Sequence, residues 1–277
     1  MISRRNLLTG CVSQTAAILV AQNRSSLQLG TMDGVLKLRG QPESIRLAKQ
    51  LGLAAVQVTL GQATDQTLPL ENVDVQKAFV AASREHGVPI TATYVDMLHV
   101  NCLKNDSQAS KWVEKGIEIT RRLRARILMT VFFGKCQVLQ RPELDYVVDR
   151  FKELVPQAAR AGVILGFENT SSGEDNRYAV DKIASEYFKC WYDVGNSTYN
   201  GYDVPAEIRM LGRERICEFH FKDKGYLGEG KVDYPPILKA VTDIGFKGYA
   251  QLETTSPSGS VMEDTRRNIG FLRKLGV

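Results

Sequence analysis

The chain has 277 residues, with 36 Lys and Arg against 31 Asp and Glu, a formal charge of +5, 43% hydrophobic residues and 24% charged. That length fits one large barrel or two small domains, and the composition excludes disorder as the main state. No stretch approaches the roughly 18 uninterrupted apolar residues of a membrane-spanning helix, which excludes a polytopic membrane protein.

The chain opens MISRRNLLTGCVSQTAAILVAQNR, in which Ser3-Arg4-Arg5-Asn6-Leu7-Leu8 precedes an uncharged, mildly apolar run from Cys11 to Ala21. Paired arginines, leucines directly after them and the lack of any acidic residue resemble a twin-arginine export signal. The expected location is periplasmic, or exported by a twin-arginine-type route with the export machinery as partner, and cytoplasmic if the signal is not used. No clean small-x-small cleavage site is present, so an uncleaved anchor stays open. Leu8-Thr9-Gly10-Cys11 is a poor lipoprotein box, because its apolar run follows the cysteine. Arg4, Arg5 and Arg24 hold three of the five excess charges, which leaves residues 25–277 close to neutral.

From Leu27 onward, short β-branched or aromatic runs alternate with longer segments of helical period, the pattern of β/α units on a parallel sheet. In chain order, strands are expected over 27–32, 54–60, 88–95, 126–133, 163–169, 189–196, 216–223 and 249–254. Helices are expected over 43–51, 74–86, 107–123, 144–161, 177–187, 204–211, 234–244 and 261–275. Gly52, Gly87, Gly162 and Gly245 sit where a left-handed residue ends a helix before the next strand. Eight pairs of roughly 31 residues each predict a single-domain (β/α)8 TIM barrel over residues 25–277. The competing fold, a doubly wound sheet, usually carries a Gly-rich phosphate turn after its first strand. Here that turn reads Gly30-Thr31-Met32-Asp33-Gly34 and matches no such fingerprint. Cys11, Cys102, Cys136, Cys190 and Cys217 include no Cys-x-x-Cys pair, so neither a disulfide framework nor a structural zinc site is expected. Cys190 and Cys217, in apolar strand-like runs, are expected to be buried free thiols.

Barrel enzymes place their chemistry at the C-terminal ends of the strands. The last four strands end in polar residues: Phe167-Glu168-Asn169, Tyr192-Asp193-Val194, Phe219-His220-Phe221 and Leu252-Glu253-Thr254. Spacings of 25, 27 and 33 residues, about one repeat each, put Glu168, Asp193, His220 and Glu253 at equivalent heights around one centre. Three converging carboxylates must take up protons or share a cation. With one imidazole they form an oxygen-rich set suited to manganese or magnesium, with cobalt or zinc as alternatives.

These motifs, together with His220-Phe221-Lys222-Asp223 and the loop Leu227-Gly228-Glu229-Gly230-Lys231-Val232-Asp233-Tyr234, resemble the xylose-isomerase-like barrels, and within them the sugar phosphate isomerase/epimerase family. The resemblance spans nearly the whole chain after the N-terminal segment. It implies that Glu168, Asp193, His220 and Glu253 bind the metal. It also implies that Glu168 and Glu253 are the catalytic bases on opposite faces of a sugar, moving a proton beside a carbonyl through a metal-stabilised enediolate. Glu174, six residues after Glu168, matches a substrate-contacting glutamate of related epimerases. Asn196 stands where many relatives carry a substrate-binding histidine, and an amide supplies a similar hydrogen bond. Lys222 is expected to meet a substrate group or to balance the carboxylates, and His99 to reach the pocket mouth.

The implied function is a divalent-metal-dependent sugar isomerase or epimerase acting on a small-molecule sugar, with a homo-oligomer left open. A lyase or dehydratase acting on keto-sugars or 3-keto-glycosides would use the same bases, and a sugar-binding barrel without catalysis is a third reading. A nucleic-acid repair enzyme on this kind of barrel would need a histidine-rich three-zinc cluster, and this chain has only His86, His99 and His220. No nucleic-acid partner is expected.

Overall fold

The computed structural model describes residues 27–64 and 66–277. The export-signal and lipoprotein-box expectations therefore lie outside the described residues. Eight strands, β1 (Leu27–Met32), β2 (Ala55–Thr59), β3 (Ile90–Tyr94), β4 (Ile127–Phe132), β5 (Ile164–Asn169), β6 (Phe188–Asp193), β7 (Ile216–Phe221) and β8 (Gly248–Leu252), pair in sequence order. All neighbours are parallel, and β1 pairs with β8 to close the barrel. The expected single-domain (β/α)8 barrel is the observed fold.

Around it run α1 (Glu43–Leu51), α2 (Val73–His86), α3 (Ser107–Arg122), α4 (Arg141–Ala161), α5 (Gly173–Ile183), α6 (Val194–Tyr199), α7 (Val204–Arg215), α8 (Tyr234–Asp243) and α9 (Val261–Lys274). Asn72, Asp106, Ser172, Asp203 and Ser260 cap helix N-termini with their side chains, satisfying amides that have no partner within the helix. Among the described residues no helix is long and apolar enough to cross a membrane.

Strand alternation decides what faces the barrel axis. On β4 and β5, Phe132 and Phe167 turn outward and pack with Phe151 of α4 and Phe188 of β6, with ring centroids 4.6 to 5.9 Å apart. That outward layer leaves Glu168 pointing inward. Asp193 pairs with His220, and His220 with Gln251, so successive strands carry polar side chains at one height.

Two of the boundaries that differ from the sequence reading shape the site. The expected strand 189–196 stops at Asp193, whose Oδ1 accepts the Asn196 amide at 2.8 Å and starts α6. The helix expected over 177–187 begins earlier, at Gly173, because Ser172 caps it.

The cysteine expectation needs a correction. Cys102 and Cys136 form a disulfide, with Cα atoms 4.9 Å apart. They lie 34 residues apart, in the loops after β3 and β4, and only closure of neighbouring parallel strands makes those loops adjacent. Cys190 is free and buried as expected, and Cys217 is free but half-buried.

Candidate active site

Glu168 is the penultimate residue of β5, Asp193 ends β6, His220 lies on β7, and Glu253 follows β8. One ligand atom from each falls within 4.8 Å of all the others. Ligands of one ion lie at most roughly twice a 2.0–2.6 Å bond apart, so this grouping has the span of a single coordination sphere.

His220 Nδ1 lies 2.6 Å from Glu168 Oε1 and 3.2 Å from Glu253 Oε2. Its other nitrogen, Nε2, sits 2.8 Å from Gln57 Oε1 on β2. Gln57 thereby accepts the Nε2 proton, so that Nδ1, which faces the two glutamates, is the nitrogen a metal would ligate on displacing its proton. Trp191 packs edge-on against the imidazole, centroids 4.9 Å apart, and fixes its plane. The ammonium of Lys222 lies 2.8 Å from Asp193 Oδ2 and 2.9 Å from Glu253 Oε2. Gly195 permits this placement, because a Cβ there would stand 2.5 Å from Lys222 Cγ and 2.9 Å from its carbonyl oxygen.

The electrostatics follow from this packing. Burial pulls the His220 imidazole down, but the Glu168 and Glu253 carboxylates outweigh it and push the ring up to about 10. Lys222 is held charged in the same way, by Asp193 and Glu253 against burial. Burial drives Asp193 up to about 7, with Lys222 opposing it. Glu253 is held below the usual carboxylate range because His220 and Lys222 together outweigh its burial.

The residues fit a divalent ion. Three carboxylates and an imidazole nitrogen form the donor set, and the buried Asp193 Oδ2 is met only by the Lys222 ammonium at 2.8 Å. The cavity above the set holds about 370 Å³ and is walled by Met32, Met129, Val131 and Phe133. A larger cavity of about 580 Å³ opens at the opposite end of the barrel but contains none of these four residues, so it is not where the chemistry gathers.

Residues 45–275 match the sequence pattern of the xylose isomerase-like TIM barrels. The chain belongs to that family. A relative from Escherichia coli (strain K12), SgbU, is 28% identical over 255 residues, covering 82% of this chain and 88% of its own. It is named for an assigned, not demonstrated, L-ribulose-5-phosphate 3-epimerase activity. Among solved structures, a D-psicose 3-epimerase from Clostridium cellulolyticum H10 superposes with a TM-score of 0.77 at 12% identity, covering 90% of this chain and 99% of that one. The Escherichia coli 3-keto-D-glucoside 4-epimerase YcjR superposes with a TM-score of 0.72 at 15% identity, covering 90% and 98%. At such identities the superpositions show the shared fold.

Within this xylose isomerase-like barrel, the residues expected at the site divide. Asn196, Lys222 and His99 line the cavity with Glu168, His220 and Glu253. The Asn196 Nδ2 donor is buried without a partner. His99 stacks on Phe133, centroids 5.7 Å apart, and its Nε2 lies 3.7 Å from Asp96 Oδ1. Glu174 is the exception and needs correction. The Ser172 cap places it in the first turn of α5, exposed, beside Arg141 and Arg177 on the outer surface.

Among the lining or supporting residues that escaped the sequence reading are Gln57, Asp96, Arg39 and Phe133. Gln57, a polar residue inside the apolar run Ala55-Val56-Gln57-Val58, carried a usable signal. Asp96, just beyond β3, carried the same strand-end signal as Glu168. Its carboxylate takes the Tyr94 hydroxyl at 3.0 Å and lies 3.5 Å from Arg39 Nη1. Arg39 comes from the irregular loop after β1, and Phe133 directly follows β4.

Proposed function

We propose that this chain is a divalent-metal-dependent sugar isomerase or epimerase working by proton abstraction beside a carbonyl. The observation that carries this reading is the convergence of two glutamates, Glu168 and Glu253, on the same His220 nitrogen from different strands, with Asp193 completing the set. A divalent ion held there supplies Lewis-acid polarisation of a carbonyl oxygen and acidifies the neighbouring carbon. Manganese suits this oxygen-rich set best, with magnesium, cobalt and zinc next.

The chain's own groups do the rest. Glu168, fully enclosed, and Glu253, one-third exposed, approach the cavity from different strands, so one takes a proton and the other returns it. His220 and Lys222 keep Glu253 ionised and thus able to accept that proton. The unpartnered Asn196 amide donates to a sugar hydroxyl, and the apolar wall of Met32, Met129, Val131 and Phe133 limits water. The reading includes export: a disulfide persists in oxidising compartments, and the Cys102–Cys136 bond agrees with the twin-arginine pattern at the N-terminus.

The test is incubation of manganese-loaded protein with a panel of ketoses, inososes and 3-keto-glycosides in deuterated water. Deuterium is expected at the carbon next to the carbonyl, with loss of incorporation in Glu253→Gln. No incorporation into any substrate would contradict the reading, and an unsaturated product in place of an epimer would make the enzyme a lyase.

A further inference from the structure

The cavity of about 580 Å³ at the N-terminal end of the barrel is lined by five cations, Arg124, Arg126, Lys189, Arg213 and Lys247, against two carboxylates, Glu214 and Glu218. Both carboxylates are engaged. Glu214 pairs with Arg213 at 2.8 Å, and Glu218 accepts Gln251 Nε2 at 2.8 Å. Among the described residues, the side chains of Arg124, Arg126, Lys189 and Lys247 have no ion-pair partner. Arg124, Arg126 and Lys247 are exposed at the rim, and Lys189 is half-buried. Unmatched like charges around one concavity focus their field into it and draw in an anion.

Local structure places these cations. Helices α1, α4 and α8 end in one kind of turn, in which a left-handed glycine, Gly52, Gly162 or Gly245, donates its amide three residues back and the next residue donates five back. Helix α3 ends in the same turn, but the residue in the glycine place is Arg124, at φ 60°. A side chain there costs backbone energy that glycine avoids, and it sets a guanidinium at the cavity rim. Arg126 is fixed between neighbouring strands, its amide donating to the Thr91 carbonyl at 3.1 Å and its carbonyl accepting the Ile164 amide at 2.8 Å. On β6, Phe188 packs outward, so Lys189 turns toward the barrel axis.

Both register shifts in the barrel fall at this mouth. The β2–β3 pairing skips Thr91 and the β6–β7 pairing skips Cys217, and each extra residue lines the cavity. Ile127, Ile164 and Ile216 add an apolar lining from the strand starts. The volume lies in the range of small-molecule sites and exceeds what bare phosphate needs. The chain's own N-terminal segment does not complement it. Residues 1–26 join β1 at Leu27, which pairs with Gly248 next to Lys247, and they carry Arg4, Arg5 and Arg24 with no acidic residue.

We propose that the N-terminal mouth of the barrel is a second binding site, separate from the metal centre, for a small organic phosphate. Arg124 and Arg126 offer forked donors suited to phosphate oxygens, and Lys189 and Lys247 add point charges. A single carboxylate would leave most of these charges unmatched, whereas a multiply charged phosphate answers them. Its apolar or ring portion lies against Ile127, Ile164 and Ile216. No residue of the metal centre takes part, so this site stands or falls apart from the isomerase or epimerase reading.

The test is calorimetry on the full chain without added metal, with ATP as the organic phosphate and inorganic pyrophosphate as its competitor. One ATP per chain is expected, displaced by pyrophosphate. In Arg124→Gly and in Arg126→Gln, affinity is expected to fall at least about 10-fold, the scale of one hydrogen bond to a charged group. Glycine suits the turn at residue 124, so Arg124→Gly is expected to keep the wild-type urea midpoint or exceed it, and it decides alone should Arg126→Gln fail to fold. Lys222→Gln, at the opposite end of the barrel, is expected to leave ATP binding unchanged. Absence of ATP binding, no displacement by pyrophosphate, undiminished affinity in Arg124→Gly, or loss of binding in Lys222→Gln overturns the proposal. Sedimentation of the chain with phosphatidylglycerol vesicles but not with phosphatidylcholine vesicles, without binding of ATP, would make this face a lipid contact and overturn it as well.

Discussion

Glu253 and Glu168 differ in setting though they share a histidine: one is one-third exposed and the other is enclosed. Replacing either with Gln removes a proton acceptor without changing shape, and exchange is expected to fall about 10²- to 10⁴-fold, read by deuterium incorporation under saturating sugar. Gln57 acts through His220 rather than on substrate. Gln57→Leu frees the imidazole tautomer, and manganese affinity is expected to fall about 10- to 100-fold while affinity for the free sugar under saturating metal stays near wild type. Unchanged metal affinity would show that the Gln57–His220 hydrogen bond, 2.8 Å long, does not set the ligand nitrogen. The four proposed ligands were legible because each terminates an apolar strand, where one polar residue stands out. Arg39 was not, since its place over the cavity comes from a loop without period and only tertiary closure brings it to Asp96. Glu174 misled because its spacing from Glu168 was read without the Ser172 cap, which turns the chain into α5 and carries the side chain to the surface.

Between elements, two contacts make separate demands. The Cys102–Cys136 bond ties the loop after β3, which carries His99, to the loop after β4, which carries Phe133. Closing a loop of this length restricts the unfolded chain by about 3–4 kcal/mol in the chain-entropy account. Reduced protein, or Cys102→Ser with Cys136→Ser, is expected to unfold at lower urea by that amount, with weakened sugar binding because the His99–Phe133 wall loosens; an unchanged midpoint would contradict it. The second contact is inside the barrel, where Glu218 on β7 accepts Gln251 Nε2 of β8 at 2.8 Å. Burial pushes its carboxyl up to about 7, against the hydrogen bonds from Gln251 and Thr91. Its ordinary value is 4.5, so between pH 4.5 and 7 the folded chain keeps a proton that the unfolded chain releases. Stability is therefore full below pH 4.5 and falls as pH rises through 7, by about 3 kcal/mol in the metal-free protein. Glu218→Gln is expected to flatten that slope in urea melts from pH 5 to 8; an unaltered slope would show that another group causes it. Most element boundaries were legible from period and glycine placement. The start of α6 was not, because Val194-Gly195-Asn196 continues an apolar strand pattern and only the Asp193 cap reveals the turn.

Over the whole molecule, charge is arranged by the direction of the helices. Each parallel β/α unit returns its helix to the N-terminal end of the barrel, where basic last-turn residues such as Lys49, Arg84, Arg122, Lys182 and Arg273 meet the negative helix ends. Arg124, Arg126, Lys189 and Lys247 line the cavity at that same end. The carboxylates gather at the other end, around the place proposed for the cation. The eightfold rhythm made this architecture readable, whereas the Cys102–Cys136 bond depends on loops that meet only once the barrel closes. Calorimetric titration of the metal-free full chain with manganese tests the proposed centre most directly. One ion per chain is expected in wild type, with binding lost or weakened by orders of magnitude in Asp193→Asn and in His220→Ala, each checked for folding by circular dichroism. Absence of binding to wild type, or binding undiminished in both folded variants, would contradict a centre built from Glu168, Asp193, His220 and Glu253.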